Sequence, residues 1–99
     1  MKEVLNKQEF LDESGTVKIM MISTPTCGVC RMMAGTMDRV KDQTGVATYK
    51  IDGLQNPDVT EEFNVRSVPC FVFYKNNEPV QTELGFKTLQ DLVDITKSL

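Results

Sequence analysis

Two cysteines three residues apart, in the run Cys27-Gly28-Val29-Cys30, are the side chains of this sequence best placed to do chemistry. Two thiols at that spacing can exchange a disulfide, one attacking as thiolate and the other resolving the mixed disulfide. They can also ligate a metal. The chain has 3 cysteines and 0 histidines. That excludes Ser/His and Cys/His nucleophilic catalysis and every His-containing metal site. Zinc sites of this spacing usually use two such pairs, or one pair with histidines. Here Cys27, Cys30 and Cys70 would need a carboxylate as fourth ligand. A strand before the pair and a helix after it favour the redox reading over the metal one.

The elements that must position the pair can be read from periodicity. Val17 to Ser23 is a short apolar run with β-branched Val17, Ile19 and Ile22, which predicts a buried strand. Thr24-Pro25-Thr26 breaks it. From Gly28 to about Thr44, Val29, Met33, Met37 and Val40 recur at helical spacing, and Gly45 can close that helix. Cys27 then lies at the helix N-terminus, where free backbone N–H groups and the dipole favour a thiolate. Such placement lowers a cysteine pKa from ~8.5 to roughly 3.5–7.5. Cys30 falls one turn inward on the same side.

Elsewhere, Glu3–Leu5 suggests an edge strand. Asn6 with Glu9 has capping-box spacing and opens a short helix carrying Phe10 and Leu11, ending near Gly15. Ala47–Ile51 reads as a strand. Asn56-Pro57 reads as an N-cap and first residue of a helix running through Phe63. Pro69 precedes a strand at Phe71–Tyr74. Asn76-Asn77 is a turn, Val80–Leu84 returns as its hairpin partner, and Thr88 caps a last helix with Leu89, Leu92, Val93 and Ile95. The order β-α-β-α-β-α-β-β-α predicts a mixed sheet with helices on both faces.

Composition bounds the remaining possibilities. The 99 residues suit one compact domain, 1–99. Hydrophobic residues at 40% and charged residues at 25% describe an ordinary globule. A net charge of −3, with no basic cluster, gives a nucleic-acid partner no electrostatic support. The longest apolar stretch, Ile19–Ile22, is too short to cross a membrane. The first residues lack the apolar region of a secretory signal. A cytoplasmic monomer is the expectation.

Three segments together resemble the thioredoxin family: Thr24-Pro25-Thr26-Cys27-Gly28-Val29-Cys30-Arg31-Met32-Met33-Ala34, then Phe63-Asn64-Val65-Arg66-Ser67-Val68-Pro69, then Phe71 to Val80 with Gly85-Phe86. The resemblance covers nearly the whole chain. It implies an α/β thioredoxin fold, with a central mixed sheet of four to five strands flanked by helices on both faces. It implies reduction of disulfides in protein substrates, without a cofactor or metal, with recycling by a thioredoxin reductase or an equivalent electron donor. Carried across, Cys27 is the attacking thiol and Cys30 the resolving one. Pro69 is a cis-proline facing them, and Val68 offers backbone groups to an extended substrate. Thr26, Gly28, Val29 and Gly85 complete a shallow substrate-binding groove.

Four departures from the family pattern stand out. Thr26 replaces the tryptophan usual before the first cysteine. Val29 replaces the usual proline and restores a backbone N–H near Cys27, which implies a more oxidising potential. Met21 occupies the place of the buried acid behind the pair. Gly35 replaces a mid-helix proline and still permits a kink. Cys70 reads as a small buried hydrophobe. The six methionines, Met20, Met21, Met32, Met33 and Met37 among them, read mostly as core filler, and Phe63 and Phe86 as packing residues. Glu61, Glu62, Asp91 and Asp94 read as solvated helix faces. Two other readings stand beside the enzyme: a scaffold whose thiols are incidental, and the three-cysteine metal site.

Overall fold

A computed structural model of the chain describes residues 1–99. In chain order the elements are β1 (Lys2–Val4), α1 (Lys7–Asp12), β2 (Val17–Ser23), α2 (Gly28–Thr44), β3 (Ala47–Asp52), α3 (Pro57–Glu62), β4 (Cys70–Lys75), β5 (Glu78–Leu84) and α4 (Leu89–Lys97). One five-stranded sheet has the order β1-β3-β2-β4-β5. Strands β1 and β2 run parallel to β3. Strand β4 runs antiparallel to β2, and β5 antiparallel to β4. The expected mixed α/β sheet is what forms, and it has five strands.

Strand β2 is central because both of its faces are covered. Alternate residues of a strand point to opposite faces. Ile19 and Met21 join Phe71, Phe73, Met33, Met37, Val40, Leu92 and Val93 in the core beneath α2 and α4. Met20 and Ile22 join Val4, Phe10, Tyr49, Ile51, Val59, Cys70, Val72 and Tyr74 beneath α1 and α3. A strand buried on both sides reads as a continuous apolar run, as this one does.

Several boundaries differ from the sequence expectation. Strand β1 ends at Val4 because Glu9 reaches back past Asn6, and its carboxylate accepts the Leu5 N–H at 3.0 Å. Asn6 does cap α1, accepting the Glu9 N–H at 2.8 Å. Helix α1 stops at Asp12 rather than near Gly15. Its end is held by Lys18, a lysine inside β2 that is fully buried. The Lys18 ammonium donates to the carbonyls of Phe10 at 2.8 Å and Glu13 at 2.9 Å, and lies 4.5 Å from the Phe10 ring centroid.

Asn56 precedes α3 but makes no side-chain cap. Its amide instead donates to the carbonyls of Leu5 and Asp52, tying the β1–α1 and β3–α3 connections together. Asp91 is more than a solvated acid: with Thr88 it forms a reciprocal capping box at the start of α4. Strand β5 begins at Glu78, ahead of Pro79, which an edge strand tolerates. Asn76 and Asn77 turn the hairpin with φ of 54° and 61°. Asparagine tolerates that left-handed region better than most residues.

Candidate active site

Cys27 is the N-cap of α2. Its sulfur accepts the Cys30 backbone N–H at 3.1 Å, so one of the free donors in the first turn of the helix points at it. The Cys27 N–H is held by the Thr24 carbonyl at 3.2 Å, and its carbonyl accepts the Arg31 N–H at 3.2 Å. These bonds fix the turn between β2 and α2. Cys27 and Cys30 are joined as a disulfide. Cys27 is half-buried, whereas Cys30 is only 3% exposed. One sulfur is therefore accessible and the other shielded.

Arg31 adds positive charge at the same place. Its guanidinium donates to the Pro25 carbonyl at 3.2 Å, with a nitrogen 3.9 Å from where a Gly28 Cβ would stand. A cation beside a helix N-terminus favours a thiolate over a thiol.

Strand register brings the remaining candidates to this end of the sheet. Ile22 on β2 pairs with Cys70 on β4, and Cys70 pairs with Leu84 on β5. The Thr24–Cys27 turn, the Val68-Pro69 segment and Gly85 therefore leave the sheet side by side. The Val68–Pro69 peptide bond is cis. Gly85 has φ of 81°, and its N–H donates to the Pro69 carbonyl at 2.8 Å. Thr26, Gly28 and Val29 are exposed around the cysteines; Val68 and Gly85 are half-buried. No intramolecular hydrogen bond engages the backbone of Arg66, Ser67 or Val68. That leaves a bare stretch of main chain next to the disulfide.

The buried stripe of α2 is Cys30, Met33, Met37 and Val40. Val29, expected to lead it, is 40% exposed, because the first helical turn rises above the end of the sheet. Met21 is fully buried among the apolar residues beneath α2, so no carboxylate occupies that position behind the pair.

Two residues expected to pack are exposed at this end. Met32 is 58% exposed and Phe86 is 56% exposed. Met32 falls off the helical stripe, a signal present in the sequence. Phe86 follows the left-handed turn at Gly85, which the sequence pattern did not reveal. Phe63 does pack, edge-on against Tyr74.

Cys70 is fully buried and free, and it belongs to the core beneath α1 and α3. Burial pushes its thiol up to about 11. No group of three or more His, Cys, Asp or Glu side chains is gathered to hold a metal ion. Cys27, Cys30 and Cys70 are therefore not assembled as ligands. No helix is long and apolar enough to cross a membrane.

Comparison with known proteins points the same way. The thioredoxin family model matches residues 2–98. Thioredoxin 1 of Synechococcus elongatus is 33% identical over 81 residues, covering 80% of this chain and 75% of that protein. The chloroplastic M-type thioredoxin of Spinacia oleracea is 30% identical over 89 residues, covering 88% of this chain; the match spans 49%, about half, of the spinach protein. A mutant thioredoxin of Halobacterium salinarum superposes with a TM-score of 0.90 at 26% identity, covering 97% of this chain and 87% of that one. A Plasmodium falciparum thioredoxin gives a TM-score of 0.83 at 27% identity, covering 99% and 98%.

Proposed function

The chain belongs to the thioredoxin family and is a thiol–disulfide oxidoreductase; from that premise we propose that it reduces disulfides of protein substrates, with Cys27 attacking and Cys30 resolving. The observation that carries this division of labour is the accessible Cys27 sulfur at the head of α2, receiving the Cys30 N–H, with Cys30 shielded beneath it.

In the reduced protein the Cys27 thiolate attacks one sulfur of the substrate disulfide. A mixed disulfide forms and the other substrate sulfur leaves as a thiolate. The Cys30 thiolate then attacks the Cys27 sulfur, forming the Cys27–Cys30 disulfide and releasing the second substrate thiolate. The substrate gains two electrons and the protein loses two. The two protons once held by Cys27 and Cys30 end on the substrate thiols, directly or through water. The bare main chain at Arg66–Val68 lets an extended substrate segment dock by strand addition, using hydrogen bonds the fold leaves open.

Thr26, Gly28, Val29, Pro69 and Gly85 form the walls of the groove in this reading. The protein acts as a single-domain, cytoplasmic monomer without a cofactor. A thioredoxin reductase or an equivalent donor returns it to the dithiol. Insulin reduction with dithiothreitol tests the activity. Cys27→Ser is expected to abolish exchange, and Cys30→Ser to trap a mixed disulfide visible by non-reducing gel. Full activity in Cys27→Ser would overturn the assignment and return the chain to the scaffold reading.

A further inference from the structure

An open cavity of about 320 Å³ adjoins the exchange site on its β3–α3 side. Thr24, Leu54, Thr60, Arg66, Ser67 and Val68 are among its lining residues. It touches the machinery at two points. Thr24 holds the Cys27 N–H, and Val68 belongs to the bare main chain beside Pro69. The loop at its rim is held in place. The Asp52 carboxylate accepts the Leu54 N–H at 2.8 Å, and the Gly53 N–H donates to the Ser23 carbonyl at 2.8 Å. A Cβ at Gly53 would stand 3.0 Å from Thr60 and 3.1 Å from Ile22, so the loop lies against the fold as closely as glycine permits.

Arg66 is the one charged residue lining this cavity, and no acidic residue lines it. Arg66 takes part in none of the chain's ion pairs, and no hydrogen bond engages its guanidinium. The hydroxyls of Thr24 and Ser67, two other residues of the lining, likewise have no hydrogen-bond partner in the chain. The overall charge of −3 does not cancel this local field. Exposed charges more than about 10 Å apart are largely screened at 0.1 M salt.

We propose that this cavity is a specificity pocket for a carboxylate-bearing residue flanking the exchanging cysteine of a protein substrate, read by the Arg66 guanidinium. The proposal rests on the oxidoreductase reading above and names the substrate class that site prefers. A segment adding along Arg66–Val68 sends alternate side chains to the same side. One of them thus enters the cavity while its cysteine exchanges with Cys27. The planar, multi-donor guanidinium matches a carboxylate, and the free hydroxyls supply further donors.

The test compares three disulfide-bonded peptides that differ only in the residue flanking one cysteine: Glu, Gln or Lys. The readout is the ratio of kcat/KM values, not the absolute rate. An exposed ion pair predicts that Glu exceeds Gln about three- to fivefold at low salt, with the ratio approaching one at high salt. Arg66→Gln is expected to bring the ratio to about one, and Arg66→Glu to favour the Lys peptide. Equal rates for the three peptides with the wild type, or a preference that survives Arg66→Gln, would overturn the pocket and leave the oxidoreductase reading standing. Failure to reduce any peptide would overturn that reading and the pocket with it.

Discussion

Replacing Lys18 with methionine tests whether a buried charge is a burden or a support in this fold. The ammonium is fully buried and makes two short hydrogen bonds to the carbonyls of Phe10 and Glu13. Burial lowers its pKa, the sign that desolvation works against the charged form. Removing the charge relieves a desolvation penalty of several kcal/mol, roughly. Methionine keeps the apolar stem but removes both bonds to the charge, leaving the Glu13 carbonyl without a donor and the Phe10 carbonyl with only the Glu13 N–H. Each such loss costs about 1–3 kcal/mol, and hydrogen bonds to charged groups contribute about 1.5–3 kcal/mol. A cation over the Phe10 ring adds up to about 2 kcal/mol when desolvated. The balance predicts a net destabilisation of about 2–4 kcal/mol. For a domain of this size that lowers Tm by on the order of 10–25 °C. Thermal melts followed by circular dichroism, with urea titration for the free energy, measure it. Lys18 lies at the end of β2 remote from Cys27, so the folded variant is expected to keep its disulfide-exchange rate. A Lys18→Met protein as stable as wild type, or more stable, would refute the reasoning, since the carbonyls of α1 would then not depend on the ammonium.

Two further outcomes follow from the site and the core. Val29 lies in the first turn of α2, where its N–H has no protein partner and proline fits. Val29→Pro removes one of the free N–H groups that favour negative charge at this helix end, an effect of about 0.3–1 kcal/mol, and should shift the potential on the order of 10–20 mV in the reducing direction; equilibration with glutathione measures this, and an unchanged or more oxidising variant refutes it. The Cys70 thiol titrates in the unfolded chain near its ordinary value of 9.0 but only at about 11 when folded. Between those values the folded protein holds the extra proton, so stability falls as pH rises, by up to roughly 3 kcal/mol. Urea titrations at about pH 8 and about pH 10.5 should show a steeper loss for wild type than for Cys70→Val; parallel losses would sink this account.

Local order was legible in the residues because it is written in short-range spacing. The period of α2, the apolar run of β2, the Gly45 terminus, the Asn76-Asn77 turn and the Thr88 cap all depend on neighbours a few positions away. The Cys27–Cys30 pair is likewise a local motif, and its place at the head of α2 followed from the helix period alone. Other features depend on partners distant in the chain. Asn56 has the look of a cap, yet it bonds to Leu5 and Asp52 because packing brings those carbonyls to it. Lys18 could be buried only because the end of α1 presents carbonyls above β2, a contact no periodicity announces. Cys30 rather than Val29 leads the buried stripe because the sheet ends beneath the first turn of α2. The sequence by itself determined the redox pair, the helix that activates it and the order of elements. The family resemblance already implied Val68, Pro69 and Gly85 beside that pair; only the tertiary structure showed the register that carries those segments off the same end of the sheet, and the cavity at Arg66. The register of β2 on β4, and of β4 on β5, sets which chain ends meet, and that register comes from two apolar cores packing at once.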